Sequence, residues 1–312
     1  MQVKQYSHDD RAAWDHLVEH ARNGTFLLQR AYMEYHADRF ADCSLLFYNE
    51  RGVLVALMPA NRVDDVLYAH QGLTYGGLVL HESLYTADLF TLFDALKHWM
   101  RTHGLTACHY KRIPVIYHRT PCDEELYALR SHGAALVHQQ LSMACSLHRL
   151  AYNSNRKRRV NKACRAGCQV VETADLSSFW SVLSENLLVT YGAKPVHCLD
   201  EIHSLKQHFE KAIRCFVCTD PANNVLAGVL VYETPTCAHF QYISASEQGK
   251  ELGALDYLID ALLQSVFPTK PWVDFGTSQD ATTATQLNAG LIHQKEGFGA
   301  RGILYETYLL KI

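Results

Sequence analysis

The chain has 312 residues, of which 48% are hydrophobic and 20% charged, and its formal net charge is -3. That composition fits a folded chain with a sizeable core, and at roughly 100–200 residues per domain it allows two domains or one large one. The near balance of charge excludes a global attraction to DNA or anionic lipid, so any such binding needs a local patch. No run of about 18 apolar residues occurs, which gives no membrane span. The start, Met1-Gln2-Val3-Lys4-Gln5-Tyr6, lacks the apolar centre of a signal peptide. The ten cysteines show no compact disulfide spacing, so reduced thiols and a cytoplasmic setting are expected. The 18 histidines are scattered, as composition rather than a metal store.

In chain order, Ser7 to Ala21 reads as a helix, with Trp14, Leu17, Val18 and Ala21 at helical spacing and Asn23-Gly24 as its stop. Gln29 to Phe40 reads as a second helix. Ser44–Tyr48 and Val53–Ala60 form a strand pair across Asn49-Glu50-Arg51-Gly52. The Gly-containing run 70–77 precedes a strand at Gly77–Leu80. A helix over Thr86 to His103, a strand at Ala107–Tyr110, a helix from Pro121 to His132 and a long strand over Leu136–Leu147 complete the first half.

A similar order then recurs. Helices are expected at Asp175–Thr190 and Leu199–Glu210, and strands at Cys215–Cys218, Val225–Tyr232 and Ala238–Ser244. Helix Leu252–Val266, strand Trp272–Phe275, helix Thr285–Lys295 and strand Gly302–Leu310 follow. Two copies of one α/β unit explain both the length and this order, with domains at 1–150 and 168–312. A basic helix over 151–167 links them, with Asn153 or Ser154 as N-cap and Gly167 as its stop. It carries Arg156, Lys157, Arg158, Arg159, Lys162 and Arg165. Arg158, Lys162 and Arg165 share one face, which is either a solvated surface or a phosphate-binding one.

Near the end of the chain, Val273-Asp274-Phe275-Gly276-Thr277-Ser278 is a short buried strand that stops in Gly and Ser. Asn288-Ala289-Gly290-Leu291 follows, then Lys295-Glu296-Gly297-Phe298-Gly299. In this order the pieces Asp-Phe-Gly-x-Ser, Asn-x-Gly-Leu and Lys-x-Gly-Phe-Gly resemble the Fem family of non-ribosomal peptidyltransferases, within the GNAT acyltransferase superfamily. The resemblance covers most of the second half and extends more weakly to Thr25-Phe26 and Tyr35-His36. It implies an α/β fold of two tandem GNAT-like domains with mixed sheets flanked by helices. It also implies transfer of an acyl or aminoacyl group from acyl-CoA or aminoacyl-tRNA to an amine, with a small molecule or a cell-wall precursor as acceptor.

Acyl transfer needs a held donor, a close nucleophile, fixed donors for the tetrahedral oxygen and a place for the amine proton. Lys295 matches a family lysine near the reacting carbonyl; the plainer alternative is a surface cation at a helix C-terminus. Asp274 either orients Lys295 or a substrate amine, or caps the next turn. Tyr242, on a neighbouring strand, is the third catalytic candidate. Ser278 and Asn288 either contact substrate or hold the loop. For donor phosphates the candidates are Gln248, Gly249, Lys250, Gly253 and Ala254, where a strand runs into a helix start. GNAT acetyltransferases carry Gln/Arg-x-x-Gly-x-Gly/Ala there. The nearest match, Lys250-Glu251-Leu252-Gly253-Ala254-Leu255, lacks the last small residue. Arg39 and Tyr75 are pocket candidates in the first half, and Arg158 and Lys162 on the basic helix.

Cys215-Phe216-Val217-Cys218 lies in a strand pattern that turns its two thiols to opposite faces, so no metal is expected. Two rival classes remain: a non-catalytic module that binds a nucleotide or RNA, and a structural partner without donor binding.

Overall fold

The structure, a computed structural model, describes residues 1–148, 150–279 and 287–312. The chain divides into two units, Met1–Gln140 with Leu304–Ile312, and Leu141–Ile303. The basic helix therefore lies inside the second unit, and the end of the last strand groups with the first.

The first unit contains β1 (Gln2–Gln5), α1 (Arg11–His20), α2 (Arg30–Met33), β2 (Leu45–Tyr48), β3 (Leu54–Met58), β4 (Asn61–Val63), β5 (Val66–Tyr68), β6 (Val79–Leu80), α3 (Thr86–Thr102), β7 (Ala107–Lys111) and α4 (Asp123–Ser131). Strands β1, β2, β3 and β6 form an antiparallel sheet in that order. Leu89, Leu92, Phe93, Leu96 and Met100, at helical spacing on α3, pack with Leu45, Phe47, Val55 and Leu80 in one core. The helix expected over Gln29–Phe40 breaks after Met33. His36 leaves helical geometry (φ -130) because its ring Nδ1 takes the Met33 carbonyl at 2.8 Å, the acceptor a continuing helix would use.

The second unit begins within β8 (Ala135–Ser146). It continues through α5 (Ser154–Arg165), β9 (Gln169–Thr173), α6 (Ser177–Tyr191), α7 (Leu199–His208), β10 (Ile213–Thr219), β11 (Val225–Glu233), β12 (Cys237–Ala245), α8 (Glu247–Leu252), α9 (Ala254–Ala261), β13 (Trp272–Thr277), α10 (Ala289–Gly297) and the start of β14 (Arg301–Lys311). Its strands lie in the order β9-β10-β11-β12-β13-β8. Only β12 and β13 among these neighbours are parallel.

The near-continuous apolar run of β11 marks a strand covered on both faces. Ala227, Val229 and Val231 face a core with Phe240, Val273, Phe275 and Phe298. On the other face a Cβ at Gly228 would sit 2.1 Å from the Phe179 ring of α6. The absence of a side chain there lets helix and sheet meet.

The helix expected over Leu252–Val266 is interrupted. Gly253 is left-handed (φ +82), so α8 ends and α9 starts at one residue, and a π turn over Leu262–Val266 follows. The expected helix over Thr285–Lys295 is observed from Ala289; Thr285 lies outside the described residues. The α/β class with mixed parallel and antiparallel pairing and flanking helices is the class read from the sequence.

Candidate functional site

Strands β12 and β13 register over three residue pairs only, Cys237↔Trp272, Ala238↔Val273 and His239↔Asp274. Beyond that point β12 continues to Ala245 paired with β11, while β13 follows β8. The parallel pair therefore parts at His239 and Asp274, and among the described residues the β13-side edge of β12 has no ladder partner beyond that point. A bulge in β12 lies within this stretch, since Val231 pairs with Phe240 but Leu230 pairs with Tyr242. The extra residue, Gln241, reverses the alternation, so Tyr242 falls on the same sheet face as His239 rather than opposite it.

Asp274 is fully buried at the apex. Its Oδ1 accepts from Ser142 Oγ at 2.5 Å and from the Gly276 amide at 3.0 Å. Its Oδ2 lies 2.8 Å from His239 Nδ1. A carboxylate is acceptor-only, so the imidazole holds a proton on Nδ1 and, when neutral, a lone pair on Nε2. Among the described residues His239 Nε2 has no hydrogen-bond partner, and the side chain keeps 13% of its exposure.

Lys295 projects from α10 into the interior, 6% exposed. Its ammonium donates to Gly276 O at 2.8 Å, Thr277 O at 2.9 Å and Ser278 Oγ at 2.9 Å, which uses all three N–H groups. Burial lowers its pKa to about 8, and the charge of Asp274 opposes that shift. The lysine thus clamps the turn where β13 ends, a turn that Gly276 (φ +75) permits. Asn288 caps α10, its Oδ1 accepting from the Leu291 amide at 3.0 Å. Ser278 is buried, its amide bonded to Leu141 O at 3.0 Å. Asp274, Ser278 and Lys295 therefore converge on one strand end.

The Tyr242 hydroxyl donates to His197 Nδ1 at 2.7 Å or accepts from it, according to the ring's tautomer, and accepts from the His197 amide at 3.2 Å. Burial raises its pKa. It ties the segment before α7 to the sheet.

The five phosphate candidates surround the α8–α9 turn. Gln248 and Lys250 are exposed; Gly249, Gly253 and Ala254 are not. A Cβ at Gly249 would lie 2.1 Å from Leu226 O, and one at Gly253 would lie 2.7 Å from Arg159 O. These glycines admit close backbones of β11 and α5. The cations of α5 divide between surface and interior. Arg156 and Arg159 both pair with the buried Asp256 on α9, with Arg159 Nε at 2.8 Å from Asp256 Oδ2. Arg159 also donates to Lys250 O, and Lys162 to Glu251 O at 2.8 Å, which caps the last carbonyls of α8. Arg158 is exposed and meets only Asn155, at 3.0 Å, among the bonds of its own helix.

In the first unit, Arg39 is exposed near the end of a 3-10 segment, while Tyr75 is interior at 1% exposure. The Tyr75 hydroxyl donates to Thr25 Oγ1 at 2.9 Å and its ring packs on Tyr117 at 4.5 Å. Tyr75 is thus packed in the interior of the first unit, while Gln71 and Thr74 of the same run are exposed. Among the described residues no group of three or more His, Cys, Asp and Glu is placed to hold a metal.

No protein-family model matches the sequence, and no curated protein matches it. Solved structures share the fold. FemX aligns over 100% of this chain and 98% of its own at 12% identity, with a TM-score of 0.69. L-PGS from Bacillus licheniformis aligns over 99% and 92% at 13% identity, with a TM-score of 0.61. A conserved protein of unknown function from Bacteroides thetaiotaomicron VPI-5482 aligns over 98% of both chains at 9% identity, with a TM-score of 0.60. The mixed α/β fold of this chain is the fold of FemX and of L-PGS, as the Fem resemblance led one to expect.

His239, Ser142 and His197 were not among the residues marked by sequence. Ser142 and His239 reach Asp274 only through strand register, so no local spacing announces them.

Proposed function

We propose that the second unit transfers an aminoacyl group from an activated carrier to an amine acceptor. The observation that carries this reading is the parted parallel pair β12–β13, with a buried carboxylate, an imidazole and a buried ammonium gathered where it opens. The freed edge of β12 offers backbone donors and acceptors to an extended acyl chain. Lys295 supplies the positive charge beside the reacting carbonyl, and Asp274 fixes the groups around it. Tyr242 holds the adjoining wall.

The carrier, acyl-CoA or aminoacyl-tRNA by the sequence, is better matched by aminoacyl-tRNA. Arg159 lies against the α8–α9 turn with both its carbonyl and its guanidinium, where a coenzyme pyrophosphate would need open amides. The exposed cations Lys157, Arg158 and Arg165 remain for an RNA backbone. A small-molecule amine or a cell-wall precursor is the acceptor class.

The test incubates the protein with charged tRNA or with acyl-CoA, each against a panel of amines and amino-terminated cell-wall precursors, and follows amide products by mass spectrometry. Amide formation from charged tRNA, abolished by ribonuclease, is the expected result. Product only from acyl-CoA overturns the choice of carrier, and no product from either overturns the transfer reading.

A further inference from the structure

The nitrogen that attacks an acyl carbonyl must lose a proton, and neither Lys295 nor Tyr242 is free to take it. Lys295 has all three N–H groups committed to the strand end. Tyr242 is engaged with His197. His239 differs from both. Its ring lies on the face of β12 opposite the apolar core, at the last registered pair before β12 and β13 part. Nδ1 is held by Asp274 at 2.8 Å, and Asp274 is itself fixed by Ser142 and the Gly276 amide. Gly276 leaves room on the same face: a Cβ there would lie 3.6 Å from His239 Cε1.

A carboxylate behind Nδ1 fixes the tautomer and ring plane and stabilises the imidazolium that forms when Nε2 takes a proton. A histidine whose only task was to satisfy Asp274 would have no need of a partly exposed ring whose second nitrogen has no partner among the described residues.

We propose that His239 is the general base of the transfer, with Asp274 and Ser142 as positioning residues; this rests on the transfer reading above. The amine nitrogen attacks the carbonyl carbon of the aminoacyl ester and a C–N bond forms. His239 Nε2 accepts one proton from that nitrogen. The C–O bond to the ribose then breaks, and the imidazolium returns the proton to the leaving oxygen, which departs as a hydroxyl. One amide and one free ribose hydroxyl replace one ester and one amine, and the base is regenerated. Among the described residues, Asp274 of β13 bonds the ring, Tyr242 lies further along the same face of β12, and Lys295 of α10 acts on Asp274.

The test compares the wild type with His239→Asn, whose amide can still donate to Asp274 but offers nothing in place of Nε2. With the donor and amine pair that the wild type turns over, kcat should fall by about 10²–10⁴-fold while KM changes little. The acid limb of the wild-type pH–rate profile should disappear in the variant, and added imidazole should restore part of the lost rate. A merely structural histidine gives neither the lost limb nor the rescue. A folded His239→Asn with wild-type kcat overturns the inference and leaves the transfer reading standing. A wild type inactive with every donor overturns both. Independent of any variant, diethylpyrocarbonate should modify His239 in the wild type, as mapped by peptide mass. An unmodified His239 beside a modified surface His208 overturns the proposal.

Discussion

Lys295→Met is the most direct probe of how the strand end is held. The wild-type ammonium is buried and titrates at about 8, below the ordinary lysine value of 10.5, because burial disfavours its charge. A lysine whose folded pKa is depressed carries its full penalty below the folded value. Between the folded and unfolded values the unfolded chain binds the proton and the folded chain does not, so stability rises with pH across that window. Working from about 8 and 10.5, the wild type should gain about 2 kcal/mol between pH 7.5 and 9.5 from this group alone. Methionine keeps an unbranched stem but has no such titration. It also leaves Gly276 O, Thr277 O and Ser278 Oγ without their donor, at about 1–3 kcal/mol for each group that finds no other partner. The variant should therefore be less stable at both pH values, and the gap should widen by about 2 kcal/mol as pH rises. Urea unfolding of both proteins at four pH values from 7.5 to 9.5 measures this, with tyrosine and other lysine titrations cancelling in the difference. A gap that stays constant with pH refutes the argument that burial lowers the Lys295 pKa.

Two further outcomes concern the α8–α9 turn. Gly253→Ala puts a side chain on a left-handed backbone and 2.7 Å from Arg159 O, so it should cost about 2–4 kcal/mol. Gly290→Ala on α10, whose nearest neighbour is at an ordinary 3.5 Å, should change stability by under about 1 kcal/mol; equal effects in thermal unfolding would undo this reading of Gly253. Arg159→Ala removes a partner of the buried Asp256 and should cost about 2–4 kcal/mol, whereas exposed Arg158→Ala should stay within about 0.5 kcal/mol. The pair is compared by urea unfolding at pH 7.5.

What the sequence made legible depended on the range of the interactions. The cap at Asn153, the stop at Gly167 and the packed stripe of α3 are set within one or two turns, and they appear where residue spacing put them. The motif residues Asp274, Ser278 and Lys295 fall within about twenty positions of one another, and they do converge. The helix over Gln29–Phe40 failed for a tertiary reason. His36 is drawn inward, where its ring Nε2 meets Gly72 O at 3.1 Å while Nδ1 takes up the Met33 carbonyl. The break at Gly253 was hidden likewise, because the need for a glycine there comes from Arg159, which sits 94 positions earlier in the chain and reaches the turn only once α5 has docked.

His239 shows the same limit at the centre of the site. Its link to Asp274 spans 35 positions and depends on a three-residue parallel register. Tyr242 depends on a bulge as well. Were Gln241 an ordinary ladder residue, strict alternation would send Tyr242 to the core face and leave His239 alone on the other. A period of two read along Cys237–Ala245 thus misplaces one of the two side chains, whichever is taken as the reference. The chemistry of this face is written in the pairing of β12 with its two neighbours, and a strand that changes partners partway along is where residue spacing alone says least about which side chains meet.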